Sequence, residues 1–294
     1  MKKIFSLFLL IVFILILIQG KLSFDASFLA LTLWYEKLVP SLFTTMVLVR
    51  LLYEYHVLSF LVQPFNRLLI SSFHMNAEAF SYVLASIVLG FPTSSLLIDE
   101  ADCLTIPQKR RLIYSCSFAS PAFIILTCGN QIYHQPSLGF QLFIISLCSG
   151  LFLLLQTRKT SIELTKPIEL NKSFALTLSN AICSSIKSLF MIGGYLMLIT
   201  SIQAILLPYL PPLLSSFLNI TTEFSSGSTY IAHLPYSLPN RYCLQSGLLA
   251  FGGFCVHLQI FSLNEHSHLI YSTYLKYRIV QAMLAMLFAY YLFR

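Results

Sequence analysis

The stretch Gly90-Phe91-Pro92-Thr93-Ser94-Ser95 lies inside an apolar run, residues 80–98, that is long enough to cross a bilayer. A glycine and a proline interrupt the helical pattern there, and three hydroxyl side chains follow directly. In a bilayer, backbone groups that leave a helix must be satisfied by other protein groups or by water, so such an interruption usually lines a cavity. We therefore predict that this stretch forms part of a solute-binding site.

The composition indicates an integral membrane protein. Of the 294 residues, 57% are hydrophobic and only 10% are charged, whereas soluble domains carry about 25% charged residues. The mean hydropathy is +0.78. The net charge of +7 does not indicate nucleic-acid binding, because the basic residues lie between apolar runs, where they orient membrane helices.

The sequence lacks the common motifs of catalytic and metal sites. Its seven cysteines include no CxxC pair, and a cysteine within an apolar run behaves as a small hydrophobic residue. We therefore expect no disulfide framework, no metal and no cofactor. The HExxH, GxSxG, P-loop and GxGxxG motifs are also absent, so the sequence predicts that the protein is not an enzyme.

Residues 1–20 form the first apolar segment. Two lysines are followed by an apolar run that ends at Gln19-Gly20, with no small-residue cleavage site after it. We therefore interpret the segment as an uncleaved membrane anchor helix rather than as a signal peptide.

Two halves of the chain show the same order of segments. Residues 28–155 and 175–294 each contain a span, an interrupted apolar segment, a helix that begins at a proline and has small residues at its centre, and a final span. The interrupted segments are 80–98 and 213–234, and the polar linker 156–172, expected in the cytoplasm, separates the halves. This order predicts an internal repeat.

The positions of Lys and Arg indicate that the interrupted segments are re-entrant hairpins. If each hairpin enters and returns on one side, the basic cluster 109–111, the linker 156–172 and the loop 263–269 fall inside, whereas 129–136 and 208–240 fall outside. This sorting agrees with the positive-inside rule. It predicts an all-α polytopic protein with about seven full transmembrane helices and two re-entrant hairpins in an inverted pseudo-repeat, an architecture found in transporters.

Four segments could build a solute site where the two hairpins meet. A half-helix that begins inside the membrane presents free N–H groups and partial positive charge, so it binds an anion without a basic side chain. Glu223 lies deep in an apolar segment and could carry a proton or cation coupled to transport. The candidate substrate-binding residues are Gly90, Phe91, Pro92, Thr93, Ser94, Ser95, Ser117, Ser120, Pro121, Glu223, Ser225, Ser226, Gly227, Gly252, Gly253, His257 and Gln259.

Structural alternatives stay open for several of these residues. The breaks could be kinks packed by neighbouring helices, with hydroxyl groups bonded to the freed carbonyls. Glu223 could instead be solvated or paired with Arg241. His257 could contact solute or relay a proton, or it could lie satisfied in the core. Asp99 and Glu100 lie beside the basic loop, which favours a solvated helix end.

The same segments resemble a known family. LGFPT at 89–93, the segment 117–123, EFSSG at 223–227 and FGGFCVHLQ at 251–259 are similar in kind and order to the sporulation integral membrane protein YlbJ family. That family belongs to a wider group with nucleoside-recognition or gate domains. The resemblance covers approximately residues 30–290.

The resemblance implies a transporter in a spore-forming bacterium that moves dipicolinic acid, a small organic anion, across the outer forespore membrane. Its partners would then be membrane lipid and this solute, with no nucleic acid, and a homo-oligomer stays open. Two alternatives remain: a transporter for a nucleoside-like solute, and a structural or assembly membrane protein of the sporulating cell.

Overall fold

The computed structural model describes residues 2–164 and 173–292, and these residues are almost entirely helical, as predicted. Their α-helices are α1 (Lys2–Ile18), α2 (Gly20–Leu33), α3 (Val39–Glu54), α4 (Val57–Val62), α5 (Asn66–Phe73), α6 (Ala77–Leu89), α7 (Thr93–Asp99), α8 (Ile106–Ser115), α9 (Pro136–Gln156), α10 (Phe174–Leu206), α11 (Pro212–Thr221), α12 (Phe224–Ala232), α13 (Leu238–Phe251), α14 (Gly253–Leu263) and α15 (Tyr271–Leu292). There are also two π-helical segments. Trp34–Leu38 lies between α2 and α3, and Ala122–Ile132 precedes α9.

Three to five segments of the described residues are suited to cross a membrane. Pro136–Gln156, Phe174–Tyr209 and Leu238–Leu263 are long and apolar enough individually. Two bent pairs reach this length only together: Leu9–Ile18 with Gly20–Glu36, bent by 97°, and Leu42–Glu54 with Val57–Phe73, bent by 72°. Each bent pair is either a broken span or a re-entrant segment. The finer expectation of about seven full spans stays a prediction.

The predicted segment boundaries fall close to, but not always on, the ends of helices. The boundary predicted at residue 28 lies inside α2, which begins at Gly20. The linker predicted at 156–172 begins where α9 ends. Residues 165–172, together with residues 1, 293 and 294, lie outside the described part of the chain.

Four breaks interrupt helices within apolar segments, and glycine forms two of them. Gly90 ends α6 with φ +69°, a conformation that glycine adopts far more readily than other residues. Gly252 and Gly253 separate α13 from α14 with φ values of +86° and +76°. Residues 116–120 leave the helical conformation between α8 and the second π-helical segment, and Thr222-Glu223 separates α11 from α12. The pairs α6–α7 and α11–α12, which we call the first and second hairpin, each consist of two short helices that meet at a break, and a broken helix follows each pair.

The loops meet at two opposite ends of the helical bundle. At the first, which we call the basic end, Arg111 donates hydrogen bonds to the carbonyls of Thr160 (2.6 Å) and Phe73 (2.5 Å), and Arg110 donates to the carbonyl of Ser267 (3.0 Å). These contacts gather the segments that the charge pattern assigns to the inner side.

At the second, which we call the distal end, Gln19 donates to the Tyr209 hydroxyl (2.6 Å), and Gln203 donates to Asn219 (3.1 Å). Residues 209 and 219 belong to the segment 208–240, which the charge pattern assigns to the outer side. The grouping of loops in the fold therefore agrees with the sorting by charge.

Candidate functional site

The two hairpin breaks face each other at the centre of the bundle. The rings of Phe91 and Phe224 meet edge to face, with centroids 5.3 Å apart. The ring centroids of Phe224 and Phe123 lie 4.5 Å apart. Phe123 lies in the first turn of the second part of the first broken helix. A Cβ atom at Gly252 would lie 3.4 Å from the Phe91 ring. Each hairpin therefore packs against the other hairpin and against the broken helix of the opposite half.

Close backbone contacts join each hairpin break to the broken helix of its own half. The Phe91 N–H donates to the Phe118 carbonyl (2.7 Å), and the Cys255 N–H donates to the Thr222 carbonyl (2.8 Å). A Cβ at Gly90 would lie only 2.5 Å from the Ser120 nitrogen. These bonds satisfy backbone groups that the interrupted helices leave free, as a membrane interior requires.

A cavity of about 390 Å³ lies between the breaks. Its walls are mainly apolar, with polar side chains from Glu36, Ser120, Thr127, Gln131, Glu223, Ser225 and Gln259. This volume lies within the range of about 300–1,000 Å³ that is common for small-molecule sites. The arrangement of apolar walls with a few converging polar groups suits a small organic solute.

The inner cavity adjoins a wider cavity of about 930 Å³ at the distal end. Glu36, Glu223 and Ser225 line both, and His134 and His233 line only the wider one. A solute could therefore reach the breaks from the distal end.

Glu223 is buried and caps the N-terminus of α12. Its carboxylate accepts hydrogen bonds from the Ser226 N–H (2.7 Å), the Ser225 N–H (3.0 Å) and the Ser225 hydroxyl (2.6 Å). A carboxylate is stabilised at this position by the partial positive charge of the helix end. Arg241 does not pair with it and donates instead to the Ala232 carbonyl. A solute anion could use the N–H groups of α12 only if Glu223 moved away.

Fewer than half of the predicted site residues line a cavity. Phe91, Pro92, Ser120, Glu223, Ser225 and Gln259 line the inner cavity, and Ser226 lines the wider one. The glycines at 90, 227, 252 and 253 instead permit close packing, since a Cβ at Gly227 would lie 2.4 Å from the Ile220 carbonyl. Pro121 is the residue before the second π-helical segment.

Of the remaining hydroxyl residues, Ser95 and Ser117 stabilise the breaks. Thr93, Ser94 and Ser95 are each at most 2% exposed and line neither cavity. The Ser95 hydroxyl donates to the Pro92 carbonyl (2.6 Å), and the Ser117 hydroxyl donates to the Ile113 carbonyl (2.6 Å). These bonds correspond to the structural alternative, in which hydroxyl groups satisfy freed carbonyls.

His257 lies in an aromatic enclosure away from both cavities. Its Nε2 is 3.0 Å from the Phe251 carbonyl, and because a carbonyl oxygen only accepts, Nε2 carries the proton. The rings of Phe254 and Tyr274 lie 5.7 Å and 5.0 Å away. This geometry favours the alternative of a core histidine over direct contact with solute.

The comparisons with known proteins give one relative. The sporulation integral membrane protein YlbJ of Bacillus subtilis (strain 168) is 23% identical to this chain over 318 residues, which cover 90% of this chain and 76% of YlbJ. The chain is a distant homologue of YlbJ. No protein-family profile and no solved structure matches it. The predicted resemblance is therefore confirmed, and the chain is an integral membrane protein related to a sporulation protein, whereas the expected gate domain stays a prediction.

Arg278 is a buried charged residue at the helix breaks of this YlbJ homologue, and it was not among the residues singled out from the sequence. It is 1% exposed, and its guanidinium donates to the carbonyls of Ser117 (2.7 Å) and Tyr114 (2.5 Å) and, more weakly, to that of Ala250 (3.4 Å). These carbonyls lie where α8 and α13 end, and helix C-termini carry partial negative charge. Arg278 therefore joins the broken helices of both halves. A charged residue inside an apolar span was the available signal.

Asp99 is also buried, and the expectation that it ends its helix in solvent is wrong. It is 2% exposed and accepts hydrogen bonds from the Ser267 N–H (2.6 Å), the Ser267 hydroxyl, the His266 N–H (3.2 Å) and the His266 Nδ1 (3.0 Å). Burial alone would raise the pKa of Asp99, but the hydrogen bonds from Ser267 and His266 outweigh it and lower that pKa.

Proposed function

We propose that the protein is a transmembrane carrier of a small organic anion in a sporulating cell, with dipicolinic acid as the first solute to test. The inner cavity between the two facing helix breaks carries this proposal, because broken helices that meet around a site near the membrane midplane are characteristic of secondary transporters. The homology to a sporulation membrane protein supports the cellular setting. The proposed location is the outer forespore membrane.

We further propose that the two halves are inverted repeats, with about seven spans in all. Lys109 and Arg241 support this relation. Each lies two residues after a proline in the first turn of α8 or α13. Lys109 donates to the carbonyl of Asp99 (2.6 Å), the last residue of α7, and Arg241 donates to that of Ala232, the last residue of α12. The same bond at the same place in each half supports a common ancestry of the halves.

Charge around the inner cavity indicates how an anion would cross. Among the described residues that line it, Glu36 and Glu223 are acidic and none is Lys, Arg or His. At 5 Å and an effective dielectric constant of about 20, two like charges repel by about 3 kcal/mol. A dicarboxylate would therefore enter together with protons, and we propose that transport is coupled to them.

Uptake into proteoliposomes tests the function. We expect saturable uptake of radiolabelled dipicolinate, faster when the uptake side is acidic. Ser225→Trp would fill the inner cavity and abolish uptake, whereas Leu213→Trp, at a residue that is 86% exposed, would preserve it. If dipicolinate and other small anions show no saturable uptake, the anion carrier is ruled out.

A nucleoside-like solute is the second candidate. Gln131 and Gln259 line the inner cavity, and Asn219 lines the wider one. Amide groups that both donate and accept hydrogen bonds suit an uncharged, polar ring. In the same vesicles, uptake of labelled nucleosides without uptake of dipicolinate would favour this candidate. Absence of both would favour a structural or assembly role.

A further inference from the structure

We infer that the contact of Asp99 with residues 266–267 is a closed gate at the basic end, and that His134 and His233 belong to the corresponding gate, open in this structure, at the distal end. This inference rests on the proposed carrier function. A carrier must expose its site to one side at a time, so one end closes when the other opens.

The gate at the basic end is sealed by several independent bonds. Besides the bonds to Asp99, the Asn264 amide donates to the Ser95 hydroxyl (2.9 Å), and Arg110 donates to the carbonyls of Ser267 (3.0 Å) and His268. They fix the loop between α14 and α15 onto α7 and α8. Neither cavity is lined by residues 93–99 or 264–270. The basic end is therefore closed to the solute.

The corresponding segments at the distal end border the wider cavity. His233 directly follows the last residue of α12. At the basic end, Asp99 is the last residue of the corresponding helix, α7. His134 lies in the loop before α9, as residues 264–270 lie in the loop before α15. Both histidine side chains are exposed and line the wider cavity. His233 bonds within its own hairpin, with Nδ1 2.8 Å from the Thr229 carbonyl.

The centre of the bundle can couple the two gates. The hairpins touch through Phe91 and Phe224, and Phe91 also packs against Gly252. A rotation of one half against the other about these contacts would bring α12 towards His134 and draw α7 away from residues 264–270. Packed interfaces of this kind favour two discrete arrangements over intermediate ones.

Disulfide trapping tests the inference. In a variant with the seven native cysteines replaced, His134→Cys and His233→Cys are introduced with Ile98→Cys as a reporter, since Ile98 is 1% exposed at the closed end and its apolar side chain makes none of the hydrogen bonds that seal the gate. A disulfide requires Cα atoms within about 7 Å, so its formation traps the distal gate closed. We expect oxidation to increase maleimide labelling of the cysteine at position 98 by at least about tenfold, and reduction to reverse the change.

The matched control is the pair Ser27→Cys and Ser201→Cys. The hydroxyl oxygens of these two short side chains lie 2.5 Å apart, so their disulfide needs no movement and should leave labelling at position 98 unchanged. The inference fails if the 134–233 disulfide forms without a change in labelling, or if it does not form where the control pair does. Solute uptake is measured separately. Coupled labelling without uptake would refute the carrier and retain the gates, and saturable uptake without coupled labelling would refute the gates alone.

Discussion

Arg278 shows how a guanidinium can be buried in a membrane bundle without a carboxylate bonded to it. Its partners are main-chain carbonyls from the ends of two interrupted helices, and its guanidinium carbon lies 5.3 Å from the centre of the Tyr274 ring. Carbonyls that no longer take part in a helix need donors in a membrane interior. The carbonyls at the breaks therefore supply acceptors for the buried guanidinium, and the guanidinium supplies the donors that these carbonyls lack.

Replacing Arg278 by Met should lower the free energy of unfolding by at least about 2 kcal/mol, because several buried carbonyls lose their donor. Lys in its place should recover part of the loss, since an ammonium donates but lacks the planar fork. The melting temperature in detergent measures the effect. Lys276→Met, an exposed site on the same helix, is the control. Equal losses at the two positions would contradict the assigned role.

Asp99 gives a pH-dependent prediction. Its pKa is lowered in the folded protein, so its contribution to stability is complete above the unfolded pKa of about 3.9 and is lost as pH falls through the lower folded value. Asp99→Asn should therefore lower the melting temperature by a constant amount from neutral pH down to about pH 5. Below about pH 4 the difference should shrink. A difference that grows on acidification would refute this assignment.

Glu223→Gln tests whether the buried carboxylate exchanges protons during transport. The Gln carbonyl can still accept hydrogen bonds from the α12 N-terminus, so the protein should insert and fold normally. Because the amide does not titrate, the pH dependence of solute uptake should flatten. Glu163→Gln, exposed at the basic end, should behave as wild type. An unchanged pH profile in Glu223→Gln would leave this residue only its capping role.

At the scale of elements, the interruptions rather than the helices form the candidate site. Four breaks lie within reach of one another, and each is closed by contact with another break. Gly90 adopts φ +69° and ψ 176°, a region that is essentially restricted to glycine. Its missing side chain allows the first hairpin to touch the broken helix at Ser120.

Gly90→Ala should therefore destabilise the protein by at least about 2 kcal/mol, from backbone strain and overpacking together. Gly194→Ala is a matched control, because no atom lies within 4 Å of a Cβ at Gly194 and alanine favours a helix interior. Melting temperatures of the two variants in detergent provide the comparison. Similar behaviour of both would show that the close approach at Gly90 is not required.

At the scale of the molecule, the two ends should lie on opposite sides of the membrane. Ile106 lies at the basic end and is 39% exposed. Tyr236 lies after the second hairpin, at the distal end, and is 53% exposed. Cysteines at these positions should react with a membrane-impermeant maleimide from opposite sides. Position 106 should react from the inside, in accordance with the positive-inside rule. Labelling of both from one side would exclude inverted hairpins.

The sequence alone determined the membrane class, the helical content and the positions of the breaks. These properties depend on composition and on local backbone chemistry. Glycine at 90, 252 and 253 and proline at 92 interrupt the helical conformation at their own positions. The order of motifs likewise indicated the relation to YlbJ, which the comparison confirmed. Loop charge predicted which segments would gather at each end.

Only the tertiary structure decided which polar groups line the cavity and which stabilise the fold. Thr93, Ser95 and His257 look like site residues in sequence, yet they are buried against their neighbours. Asp99 and Arg278 find partners more than 150 residues away in the chain. Hydrogen bonds and burial depend on which surfaces meet in three dimensions, and that information is not contained in the local pattern around any one residue.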